Sequence, residues 1–157
     1  MRRIMGDALN HLHTVQCELP PAFAAKLKKM RIVEIEGAVV VEDASGWDDS
    51  FGNDLTRLEC FVNHYHIDSP GDGSLKASAT AGIAAAKEFK RMIEATKIPG
   101  EFRVIVSANY NSLPNPPFYG AVVRFHKIRP NQAWLDDDLE NYKSEGVLTI
   151  DWTNPVT

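Results

Sequence analysis

The feature that most constrains this chain is the segment from Ser74 to Lys97, which carries the clearest helical periodicity in the sequence. Leu75, Ala79, Ile83, Ala86, Phe89 and Ile93 recur at helical spacing and line one face, while Lys76, Lys87, Lys90, Arg91 and Glu94 lie off that stripe or at its edge. Ser74 is placed to cap the N-terminus, and Pro99-Gly100 ends the helix. Small residues between Ala77 and Ala86 allow close approach to a sheet, although Gly82 costs intrinsic helicity. An apolar helical face of this length needs a partner layer, and the flanking segments supply strands.

Ile32 to Val41 is rich in β-branched residues and reads as a strand, with Gly37 marking a bulge or a tight turn. Leu58 to Ile67 reads as the next strand, ended by Ser69-Pro70-Gly71-Asp72-Gly73. Two strands follow the long helix, Phe102 to Ala108 and Tyr119 to Ile128, and the proline-rich loop between them is too long for a tight hairpin. In the second of them Tyr119, Ala121, Val123 and Phe125 share one face, with Val122, Arg124 and His126 on the other. A short helix is predicted from about Ala133 to Ser144, burying Leu135, Leu139 and Tyr142, and Val147 to Trp152 makes a last strand. Near the start, Leu19-Pro20-Pro21 interrupts a loosely helical region, and Pro21 opens a short helix running to about Met30. With no repeats and no linker, residues 1–157 are expected to form a single α+β domain. Its expected architecture is a mostly antiparallel sheet of about four or five strands, with the long helix packed on one face and short flanking helices.

Charge narrows the range of partners. The net charge is −4, and Glu42, Asp43, Asp48, Asp49 and Asp54 form a run without Lys or Arg, echoed by Asp136-Asp137-Asp138 and Glu140. Such a chain is poorly suited to nucleic acid, whose affinity comes largely from phosphate neutralisation, and better suited to a basic protein. No apolar run approaches the ~20 residues of a membrane helix. The basic start is followed by Asp7, Asn10, His11 and His13 rather than an apolar stretch, so no secretory signal is expected and the chain reads as cytoplasmic. Cys17 and Cys60 lie in apolar contexts and read as buried free thiols.

The sharpest chemical pattern is His64-Tyr65-His66-Ile67-Asp68. On a strand, His64, His66 and Asp68 point to one side, and with His126 they could offer zinc or iron ligands; the alternative function is therefore a metal-binding domain or metal-dependent enzyme. A polar strand face explains the same residues. His11-Leu12-His13 with Cys17 is a weaker pattern of the same kind. There is no Gly-x-Ser-x-Gly elbow, and Gly71-Asp72-Gly73-Ser74 is explained by a turn and a cap. No catalytic constellation emerges, so neither an enzyme nor a cofactor is expected. Three successive aspartates exceed what helix capping calls for. The expected binding surface therefore combines Trp47, Asp48, Asp49, Phe51, Tyr110, Trp134, Asp136, Asp137 and Asp138.

Three C-terminal segments carry a family likeness: Val123-Arg124-Phe125-His126-Lys127-Ile128-Arg129, Trp134-Leu135-Asp136-Asp137-Asp138-Leu139-Glu140-Asn141-Tyr142 and Val147-Leu148-Thr149-Ile150-Asp151. Their pattern resembles the C-terminal third of bacterial immunity proteins from contact-dependent growth inhibition and related polymorphic toxin systems. The resemblance implies a small, acidic, cytosolic α+β protein that binds and neutralises the toxin domain encoded beside it. Many such toxins are nucleases with basic clefts, so the implied partner is a basic toxin C-terminal domain.

Overall fold

The hairpin formed by β1 (Ile32–Ile35) and β2 (Ala38–Val41) turns on Glu36 and Gly37, both at positive φ, 50° and 82°. Two such residues make the tight turn whose twist matches a right-handed strand pair, so Gly37 marks a turn and not a bulge. This computed structural model describes residues 18–42, 49–68, 74–111, 118–136, 138–142 and 145–155. Before the hairpin, α1 (Pro21–Leu27) opens on Pro21, where the missing N–H is harmless.

After the hairpin the chain departs from the sequence-based expectation. Leu55–Val62 is a helix, α2, and the strand that follows, β3, is confined to His64–Asp68. The apolar residues Leu55, Leu58 and Val62 fall at helical spacing and pack on Ala38 and Val40, while Asp54 caps the helix by accepting from Arg57 N at 3.0 Å. Tertiary packing and a cap thus override the β propensity of the residues downstream.

The long helix, α3, spans Leu75–Thr96, and Ser74 Oγ accepts from Ala77 N at 3.1 Å. It ends with Lys97 in the left-handed conformation, so the reversal precedes Pro99-Gly100. Strands β4 (Gly100–Asn111), β5 (Phe118–Lys127) and β6 (Glu145–Asn154) complete a four-stranded antiparallel sheet in the order β3-β5-β4-β6. The predicted helix from Ala133 to Ser144 is absent from the described residues there, which form turns and one 3-10 turn at Leu139–Asn141. Side-chain bonding explains the difference. Asp136 accepts from Asp138 N (3.1 Å) and Asn141 Nδ2 (2.9 Å), and Asp136 N donates to Tyr142 Oη (2.9 Å). These bonds hold the segment in turns rather than an α-helix.

One face of the sheet meets α3. Ala79, Ile83, Ala86, Phe89 and Ile93 bury against Phe102, Val104 and Val106 of β4, Ala121, Val123 and Phe125 of β5, and Tyr65 and Ile67 of β3. Gly82 marks the closest approach: a Cβ there would lie 2.8 Å from Val106 Cγ1 and 2.9 Å from Ala121 Cβ. Strand β2 is buried on both sides, with Val39 and Val41 in this core and Ala38 and Val40 against α2.

Two polar residues of α2 and its cap hold the layers together. Glu59 is fully buried and accepts from Val39 N (2.6 Å), Lys127 N (2.7 Å) and Arg129 Nη1 and Nη2 (2.9 and 2.7 Å). Burial pushes its carboxyl above the ordinary range, and the Arg129 pairing and backbone donors oppose that shift. Asn63 donates to Val39 O (2.8 Å) and Phe125 O (3.2 Å) and accepts from Val41 N (3.3 Å). Cys60 is a buried free thiol, its pKa raised by burial first and then by Glu59; Cys17 lies outside the described residues.

Gly82→Ala is expected to lose about 1–3 kcal/mol of stability in denaturant melts, because overpacking outweighs the gain in helix propensity. Glu59→Ala should cost about 3–5 kcal/mol by stranding the largely buried Arg129 charge, and a double-mutant cycle with Arg129→Ala should show strong coupling.

Candidate functional site

The sheet face opposite α3 carries the side chains that strand alternation sends away from the main core. In register across it run His64, Arg124, Ile105 and Thr149, and next to them His66, Val122, Ser107 and Val147. Helix α2 packs against β5. His126 is only 3% exposed, and its Nδ1 lies 3.0 Å from Lys127 O. Farther along the face, side chains from the segment after Pro130 come over the sheet. Together they bound a groove of about 420 Å³, with Ile105, Val122 and Val147 beside His64, His66, Ser107, Arg124, Trp134 and Tyr142.

Arg124 organises this groove. Its guanidinium lies 5.5 Å from the centre of the Trp134 ring, and its Nη2 is 3.4 Å from His64 Nε2. The His64 and His66 rings stand 4.7 Å apart. Burial first, and then the charges of Arg124 and His66, lower the pKa of His64 to about 4. His64 is therefore neutral at physiological pH, and the hydrogen-bond network assigns Nε2 as the acceptor toward Arg124. Trp134, 36% exposed, is held at the lip by a cation–π contact.

The histidine pattern is thus only partly gathered. His64 and His66 are neighbours, Asp68 is exposed at the other end of β3, and His126 is buried. Among the described residues no group of three or more His, Cys, Asp or Glu side chains could hold a metal ion.

The acidic and aromatic candidates sort differently. Gln132 joins two segments that are distant in sequence: its Oε1 accepts from Thr56 N (3.1 Å) and its Nε2 donates to Asn53 O (2.9 Å). The end of the first acidic run, which closes on the α2 cap Asp54, is thereby tied to the segment carrying Trp134, Asp136 and Asp138. Asp136 and Asp138 are both exposed; the Asp136 carboxyl belongs to the turn and is held below the ordinary range by Asn141 and then by Asp138 N. Phe51 belongs to the 3-10 turn Asp49–Phe51 and packs on Phe61 at a centroid distance of 5.2 Å. Phe61, 52% exposed on α2, was missed because its segment read as a strand; a helical pattern starting at Leu55 would have found it. Tyr110 lies on β4 opposite Tyr119, five residues beyond Ile105 and so about 17 Å farther along the strand. Trp47, Asp48 and Asp137 lie outside the described residues.

Arg124→Ala should raise the His64 pKa from about 4 toward 6.5 without restoring it fully, because burial remains; NMR titration of the imidazole checks this. The sign for stability follows from a folded pKa below the unfolded one. As pH falls from about 6.5 to about 4, the unfolded chain takes up a proton that the folded chain refuses, so this contribution to stability is lost.

Among the described residues no helix is long and apolar enough to cross a membrane. No curated protein and no solved structure matches the chain. One family does match, over residues 2–156 and hence nearly the whole sequence: the chain belongs to the family described as the Uncharacterized protein PM0498 family.

Proposed function

We propose that this protein is an immunity protein, which binds and neutralises a cognate bacterial toxin domain through an acidic, aromatic surface centred on Trp134. The observation that carries the reading is the Gln132 clamp, which joins acidic segments 76 and 79 residues apart in sequence. Around it stand the residue types that tight protein interfaces use. Trp134 is exposed yet held by Arg124, and Phe51, ahead of α2, forms a second aromatic pair with Phe61 on its last turn. A tryptophan already held in place loses little entropy on binding and offers a large apolar area to a partner.

The carboxylates serve a different step. Asp49, Asp54 and Asp138 belong to the two acidic segments, in a chain of net charge −4. Such a surface accelerates encounter with a basic toxin cleft by electrostatic steering, while the aromatic centre sets the lifetime of the complex. The toxin class this favours is a nuclease, whose phosphate-binding cleft supplies the complementary charge. Binding occurs in the cytosol, where the toxin acts.

The test is calorimetric titration and an activity assay with the toxin domain encoded beside this gene. Trp134→Ala should weaken binding at least about 30-fold, as for a central anchor. Asp49→Lys with Asp138→Lys should slow association and flatten its salt dependence, with a smaller effect on dissociation. A toxin domain that is neither bound nor inhibited overturns the function; unchanged affinity in both variants moves the interface elsewhere.

A further inference from the structure

The four-stranded sheet has two edges, and they are built differently. Edge strand β3 is five residues long and ends in the exposed Asp68. Edge strand β6 has ten residues, Glu145–Asn154, paired with β4 without a register break from Asn109↔Glu145 to Gly100↔Asn154. Soluble proteins blunt such an edge with lysine, proline, a bulge or brevity. Strand β6 has none of these: it contains no Lys, Arg or Pro, and its regular ladder leaves no room for a bulge. Asp151 is not a guard either, because Arg103 holds its carboxylate with two bonds of 2.8 and 2.7 Å. Among the described residues, no strand pairs with the outer side of β6.

An edge of this kind presents a row of peptide N–H and C=O groups, so what it accepts is another extended strand. We propose that this strand is β6 of a second copy, paired antiparallel about a twofold axis at Ile150, giving one continuous sheet with four strands from each copy. The sequence of β6 selects both the partner and the register. With Ile150 opposite Ile150, Leu148 faces Trp152 on the helix side, and Thr149 faces Asp151 on the other. Each copy then contributes a symmetric aliphatic–aromatic pair, and no two like charges are opposed. Moving the axis to Asp151 would set carboxylate against carboxylate, and moving it to Thr149 would set Trp152 against Gly146. The residues that gain cover are suited to it: Ile150 and Trp152 pack on the core yet remain partly exposed. Pro155 follows immediately and ends the ladder, because it has no N–H to donate.

Sedimentation velocity of the full chain from micromolar to submillimolar concentration tests the pairing. The expected result is a monomer–dimer equilibrium, with slowed amide exchange along β6 that is lost on dilution. Ile150→Lys places two ammonium groups together at the axis and should give a monomer with unchanged circular dichroism. A pair of variants at the partly buried Thr149 guards against misfolding and reads the register. Thr149→Asp, opposite Asp151 twice in the dimer, should weaken association about tenfold, while Thr149→Lys should maintain or strengthen it. A wild-type chain that stays monomeric at the highest concentration overturns the proposal, as does a dimer indifferent to these substitutions. So does protection of β6 amides that appears only with the toxin domain, which would assign the edge to a strand of that partner.

Discussion

A carboxylate removed from water must recover its solvation from donors within the protein, and Glu59 does so with two backbone N–H groups and both ends of the Arg129 guanidinium. Those donors come from β2, from the end of β5 and from the turn that follows it. One buried side chain on α2 therefore binds three separate parts of the chain, and Arg129 extends the network by donating to Gly37 O at 2.7 Å. Asn63, one turn later, adds bonds to β2 and β5. In a sheet the second strand of a hairpin would have a neighbour strand; here β2 meets side chains of α2 and its cap instead. The two-stranded hairpin and the four-stranded sheet remain separate sheets held by a polar staple.

The binding face depends on that staple. By holding Arg129, Glu59 sets where the chain leaves β5, and Gln132 then docks on the start of α2. From there Trp134 reaches back over Arg124, and Tyr142 accepts from Asp136 N to close the turn. The groove is thus a product of two layers. Its floor is the sheet face that α3 leaves uncovered, and its wall is a segment positioned by a buried ion pair. Arg124 lies between an imidazole kept neutral and an indole face, which rigidifies the lip without burying it.

Legibility in the sequence followed the range of the interaction. Helix α3 was readable to within a residue at its start, because Ser74 caps it locally and its apolar stripe repeats within the segment. Strands β4, β5 and β6 were readable as elements, although β4 and β6 extend beyond the predicted limits at both ends and β5 lies one residue earlier than predicted. The two misreadings share a cause. Leu58 to Val62 has mixed propensity, and its helical state rests on Asp54 and on packing against β2. Ala133 to Ser144 has helical periodicity, but Asp136 and Tyr142 commit their polar atoms to a turn. Phe61 was hidden for the same reason, since a residue on a misassigned element is given the wrong face.

The sequence by itself determined the α+β class, the long helix and its buried face, the small-residue stretch that lets it approach a sheet and the acidic balance of the surface. These rest on periodicity, caps and composition, which act within a few residues or over the whole chain. That Gly82 is the contact point came from the packing. Tertiary structure alone decided which strands are neighbours, that β1 and β2 stand apart from the main sheet, and that Trp134 meets Arg124. It also decided that His64 and His66 adjoin an arginine while His126 is buried. Such pairings depend on contacts between residues far apart in the chain, whose loop-closure cost is recovered only when many form together, so no local pattern encodes any one of them.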